Sequence, residues 1–175
     1  MDTKIFDEAF ASLPESIRGA KPACALMLGS GWSRAVEGLD VLAEVPYGAI
    51  PHFGDVTVIG HSGRLLLVRA PGGGLALAFC GRRHWYEGAA WEAIVMPVEI
   101  ARRLGCTVLL VTNASGGIRP DLEPGDMVAI RDHIRMNHLN PFRGPHNPAF
   151  GPRFPDQSHV YDPGLIELLL AAGRE

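Results

Sequence analysis

Hydrophobic positions fall into short blocks separated by glycine- and proline-rich turns, and the spacing inside each block predicts its element. Ile5, Phe6, Phe10 and Leu13 recur at helical intervals and stop before Pro14, which predicts an amphipathic helix over IFDEAFASL. Ala23–Leu28 is a continuous apolar run of strand length that enters Gly29-Ser30-Gly31 directly, the pattern of a buried strand. Ser33 is placed to cap a short helix through Val36. Arg64–Arg69 and Leu75–Cys80 flank Pro71-Gly72-Gly73-Gly74 and predict a hairpin. Trp91–Leu104 carries Trp91, Ile94, Val95, Val98, Ala101 and Leu104 along one helical face, with a kink expected at Pro97. Thr107–Thr112 and Met127–Arg131 are apolar runs that predict two more strands.

From Asp132 to Asp162 the chain is rich in Pro, His and Asn and has no periodicity. A loop that long inside a compact domain is functional or an interface. Leu165–Ala172 begins a further helix. No internal repeat, linker or composition break divides the sequence. Residues 1–175 therefore predict a single domain of the α/β class.

Composition narrows the partners. The formal net charge of −3 argues against duplex nucleic acid or an anionic membrane as the main partner, but not against a small anion held by a few donors. No apolar run approaches a membrane span. The start, MDTKIFDEAF, has acids where a secretion signal would be basic and then apolar. Cys24, Cys80 and Cys106 lie in or beside apolar segments without CxxC spacing and read as reduced core thiols. Together these predict a cytoplasmic protein.

Three segments carry candidate chemistry, each at the end of a predicted strand. Gly29-Ser30-Gly31 offers backbone amides and a hydroxyl to an anion. It is neither a Walker loop nor a dinucleotide fingerprint, because Trp32 and Ser33 follow. In Gly81-Arg82-Arg83-His84-Trp85-Tyr86-Glu87-Gly88, strand alternation would turn Arg82, His84 and Tyr86 to one side. An arginine fork and a histidine suit a phosphate, and a tyrosine face suits a sugar. Thr112-Asn113-Ala114-Ser115-Gly116-Gly117 again brings small residues and amides to a strand end. Taken alone, each fits an ordinary turn as well. Their combination points further, because three such strand ends can converge on one crevice. Asp132, His133 and His138 do not make a metal site, since adjacent residues rarely share one ion.

The order of segments resembles the trimeric purine nucleoside phosphorylases. The match runs through Gly29-Ser30-Gly31, Pro51-His52-Phe53, Gly60-His61-Ser62-Gly63-Arg64, Gly81–Gly88, Val111–Gly117, Pro124-Gly125-Asp126, Arg131-Asp132-His133-Ile134, Asn140–Pro145 and Arg153-Phe154-Pro155. The resemblance implies a mixed, twisted central β-sheet flanked by helices, incomplete at the C-terminus. It implies that Ser30, Arg82, His84 and the amide of Ala114 bind phosphate, with His84 and Arg82 catalytic. It places His61 near phosphate and ribose, Tyr86 on the ribose, and Asn113, Ala114 and Gly116 along the pocket wall. Phe154 would reach a neighbouring subunit's ribose site in a homotrimer. The implied enzyme is a transferase that cleaves purine (deoxy)ribonucleosides with inorganic phosphate as co-substrate and needs no cofactor or metal. Base-recognising residues would lie beyond Glu175, so base preference is not legible. A methylthioadenosine phosphorylase, or a truncated non-catalytic homologue that binds phosphate or only oligomerises, are the alternatives. One departure stands out: Trp32 follows Gly31 where the family commonly has a smaller residue. The loop around Met136–Asn140 also looks shorter than in many relatives.

Overall fold

The computed structural model describes residues 1–56, 62–137 and 139–174. The expectations for His61 and His138 fall outside them, as does the Ser33 side chain. The chain divides into two compact units, Met1–Ser115 and Gly116–Glu175.

The first unit holds a five-stranded sheet. Its strands are β1 (Cys24–Leu28), β2 (Asp40–Pro46), β3 (Arg64–Arg69), β4 (Leu75–Cys80) and β5 (Val108–Val111), in the order β2-β3-β4-β1-β5. β4, β1 and β5 are parallel, while β2, β3 and β4 are antiparallel neighbours. The predicted hairpin is β3–β4, with Arg69 opposite Leu75. The continuous apolar runs have a simple cause. Leu66, Val68, Ala76, Ala78, Cys80 and Leu28 pack in one cluster, and the alternate positions Ala25, Met27, Leu65, Leu67, Leu77 and Phe79 are buried too. Both faces are thus covered along these stretches, and polar residues stand only at the ends of β3, Arg64 and Arg69. Fully burying one such Leu or Phe contributes roughly 1.5–3 kcal/mol.

Among the described residues, three helices accompany the sheet. α1 (Thr3–Ala11) is capped by Asp2, whose Oδ1 accepts from Lys4 N at 3.0 Å, and buries Phe6 and Ala9. α2 (Glu15–Arg18) follows Pro14 and buries Ile17. α3 (Trp91–Arg103) continues through Pro97, packs on β1 and contacts α1. Its buried stripe is Ala93, Met96, Pro97, Ile100 and Ala101, with Leu104 just beyond. Of the expected face only Ala101 and Leu104 are buried, and Val98 is exposed. The helix is apolar on two sides, so periodicity alone selects the wrong one. Glu99 accepts from Arg102 (2.8 Å) and Arg103 (2.7 Å), and Arg103 also pairs with Asp7 of α1 at 2.8 Å. Burial pushes the Glu99 carboxyl up, but the two guanidinium groups outweigh it and hold the carboxyl below its ordinary range.

Ser33–Val36 forms a 3-10 turn in which Ser33 is the first residue, not the cap. β2 was not foreseen, since most of its residues face solvent. It forms because β3 offers an antiparallel edge from Asp40–Arg69 to Pro46–Arg64.

In the second unit Met127–Arg131 is not a strand. An apolar β-branched run becomes a strand only where a neighbour supplies a ladder, and none pairs with it among the described residues. The described residues between 132 and 162 are mostly irregular, with a 3-10 turn at Pro148–Phe150. Arg153 Nη1 ties this segment by donating to the carbonyls of Phe142 (3.1 Å) and Gly144 (2.8 Å). α4 (Pro163–Ala172) follows, with Asp162 accepting from Leu165 N at 2.9 Å.

Candidate active site

β4, β1 and β5 lie side by side and run in the same direction, so the three candidate loops leave one edge of the sheet. Leu28 is level with Cys80, and Met27 with Val111. With strands spaced roughly 4.8 Å apart, the outer two strand ends are separated by about 10 Å. The loop beginnings are also bonded to one another. Gly81 N donates to Leu28 O (3.0 Å), Thr112 N to Met27 O (2.9 Å), and Gly29 N to Thr112 Oγ1 (2.9 Å). Thr112 is buried. A Cβ at Gly29 would stand 2.5 Å from the Thr112 carbonyl oxygen. Glycine is therefore required at position 29 for the first and third loops to meet.

Ser30 sits half-buried in the turn after β1. Trp32 packs against the Leu28–Val36 cluster, so the family departure at this position adds to the core beneath the loop. Arg82 and His84 are half-buried after β4. The strand alternation expected to align Arg82, His84 and Tyr86 does not persist, because β4 stops at Cys80 and a 3-10 turn takes over at Trp85–Glu87. The turn still brings two of them together: the rings of His84 and Tyr86 stack with centroids 4.8 Å apart. Tyr86 is 74% exposed, leaving most of its surface open. Glu87 locks the turn. Its Oε2 accepts from His84 N at 2.7 Å and lies 3.0 Å from His84 Nδ1.

Asn113 and Ala114 are exposed after β5. The Asn113 amide donates to Ser115 Oγ (2.6 Å) and to the Ala114 carbonyl (3.3 Å), bracing its own loop. Gly116 and Phe154 belong to the second unit, where Phe154 is 88% exposed. A cavity of about 340 Å3 in that unit, between Arg131–Asp132 and Ser158–Leu170, contains none of the expected site residues.

Sequence reasoning missed the support behind the second loop. Tyr47 is fully buried, stacks on Phe53 with centroids 4.1 Å apart, and donates its hydroxyl to Gly81 O at 2.8 Å. Burial, and then the neighbouring Cys80, push its phenol far above the ordinary range. A Cβ at Gly54 would lie 2.6 Å from Arg83 Nη1, so Gly54, at φ 69°, leaves room for that guanidinium. Of the thiols, Cys80 is buried while Cys24 and Cys106 are half-buried. Burial raises all three, which disfavours the reactive thiolate. Among the described residues no group of three or more His, Cys, Asp or Glu is placed to hold a metal ion. No described helix is long and apolar enough to cross a membrane.

The profile of the phosphorylase superfamily matches residues 24–175. The chain belongs to the phosphorylase superfamily. Within this superfamily, purine nucleoside phosphorylase 1 of Bacillus subtilis (strain 168) is 40% identical over 157 residues, covering 90% of this chain and 56% of the relative. The Bos taurus purine nucleoside phosphorylase is 41% identical over 145 residues, covering 81% and 50%. The Schistosoma mansoni purine nucleoside phosphorylase solved with acetate superposes with a TM-score of 0.85 at 31% identity, over 99% of this chain and 64% of that one. Isoform 2 from the same organism, solved with cytosine and ribose-1-phosphate, gives 0.82 at 36%, over 99% and 61%. The chain spans about half the length of the curated relatives it matches. The mixed α/β sheet expected from the resemblance is the superfamily fold seen here.

Proposed function

We propose that this chain is part of a purine nucleoside phosphorylase that cleaves purine (deoxy)ribonucleosides with inorganic phosphate. The observation that carries the reading is the single sheet edge on which the Ser30, Arg82–His84 and Asn113–Ala114 loops emerge. The names of the relatives support it, as does a similar structure whose complex holds ribose-1-phosphate.

In this reading Ser30 Oγ, the Arg82 fork, His84 and the Ala114 amide grip one phosphate. Its oxygen forms a bond to the anomeric carbon as the bond to the purine nitrogen breaks, and the base leaves with the electron pair. The sugar passes through an oxocarbenium-like state, which the bound phosphate's negative charge stabilises. Positioning and electrostatics then do the catalysis without a metal or cofactor. Since Glu87 engages Nδ1, His84 addresses the ligand through Nε2. Tyr86 and His61 serve the ribose, and Asn113 and Gly116 the pocket wall. Phe154 completes a neighbour's site in a cytoplasmic homotrimer, and both compact units belong to one catalytic domain. None of the 175 residues is assigned to the base. The alternative methylthioadenosine phosphorylase is not favoured, because the relatives bear the purine nucleoside name and the loop reads Gly-Arg-Arg-His-Trp-Tyr-Glu-Gly.

The test is hypoxanthine release from inosine by the full-length product that carries this chain, measured with and without inorganic phosphate. Release that requires phosphate supports the proposal. Its absence leaves the non-catalytic homologue as the better description.

A further inference from the structure

We infer that Tyr47 is a positioning residue for the phosphate loop, fixing the Gly81 carbonyl and thereby the direction in which Arg82 leaves β4. The inference rests on reading Arg82 as a phosphate ligand.

Gly81 is held from two sides. Its N–H donates to Leu28 O on β1 at 3.0 Å, and its carbonyl accepts from Tyr47 Oη at 2.8 Å. That carbonyl belongs to the peptide plane whose nitrogen is the Arg82 amide. Fixing its oxygen therefore fixes the plane on which Arg82 is built. Gly81 has a φ of 104°, a region open to glycine with little intrinsic preference of its own. Such a residue needs an external constraint to hold one conformation. Tyr47 is well placed to supply one. Its N–H donates to Gly63 O (2.8 Å), Gly63 N donates to Cys80 O (2.9 Å), and its ring is stacked on Phe53. Anchored at backbone and ring, the hydroxyl has little freedom to move away. The raised phenol pKa keeps it a donor throughout the neutral range. Just beyond Phe53, Gly54 accommodates the Arg83 guanidinium. The segment from Tyr47 to Gly54 thus backs both Gly81 and Arg83.

The experiment is calorimetric titration of the protein with inorganic phosphate, alongside thermal melts, for three forms: unsubstituted, Tyr47→Phe and Ile17→Val. Tyr47→Phe keeps the buried ring and removes only the hydroxyl. Ile17→Val trims a buried residue of another element, α2, as a measure of general loosening. The expected result is a phosphate Kd about tenfold weaker for Tyr47→Phe, with the Ile17→Val Kd within about twofold of the unsubstituted protein. An unchanged Kd for Tyr47→Phe overturns the positioning role, as does an equal weakening in both variants. No phosphate binding by the unsubstituted protein overturns the phosphorylase reading itself, and the positioning role with it.

Discussion

Glu87 grips His84 at two points, accepting its backbone N–H at 2.7 Å and meeting its Nδ1 at 3.0 Å through the same carboxylate oxygen. One side chain thus sets both the start of the 3-10 turn and the orientation of the imidazole. If His84 holds phosphate as proposed, removing this support should weaken that grip.

Glu87→Ala is expected to lower kcat/KM for phosphate by about tenfold or more, because both contacts vanish and each is worth about 1 kcal/mol. Glu87→Gln keeps an acceptor for the backbone N–H and should lose less. Steady-state phosphorolysis kinetics compare the two.

Arg82→Lys is expected to weaken phosphate binding although the charge is kept. A lysine presents a point charge in place of a planar fork, and losing one charge-assisted hydrogen bond costs about 1.5–3 kcal/mol. A phosphate KM indistinguishable from that of the unsubstituted protein would remove Arg82 from the proposed site.

Thr112→Val is expected to destabilise the first unit by about 1–3 kcal/mol, because the buried Gly29 N–H loses its acceptor. Gly29→Ala should cost more, since the new Cβ meets a backbone carbonyl and cannot be relieved by a rotamer. Urea denaturation of both variants checks the order.

The clamp between α1 and α3 has a pH signature. The Glu99 carboxyl is held below its ordinary value, near 4.5, by Arg102 and Arg103. A depressed acid contributes stability above its unfolded-state pKa and loses it as pH falls through the folded one. Glu99→Gln should therefore be less stable than the unsubstituted protein at pH 7, with the gap closing below about pH 4.5. Melts from pH 7 to pH 3 measure it, and a gap that widens on acidification contradicts the account.

β1 and β4 were legible because burial on both faces leaves an unbroken apolar run, as in Ala23–Leu28 and Leu75–Cys80. β2 was not, since its pairing with β3 depends on an edge that no local pattern announces. α3 was found as a helix but turned the wrong way, because Trp91, Val95 and Val98 form a second apolar stripe opposite Ala93, Met96 and Ile100. The candidate loops were legible from their glycines and donors. Their support was hidden for different reasons. Tyr47 reaches a carbonyl 34 positions away, which only folding brings near. Glu87 lies three residues from His84, yet a histidine at that cap is an uncommon partner beside the usual Ser or Thr.

The convergence of three strand ends on one anion is tested most directly by titrating inorganic phosphate into 15N-labelled protein and following the backbone amides. The account predicts that amides of Gly29–Ser30, Gly81–His84 and Asn113–Ala114 shift together along a single binding curve. Shifts confined to one loop, or separate curves for different loops, would contradict it.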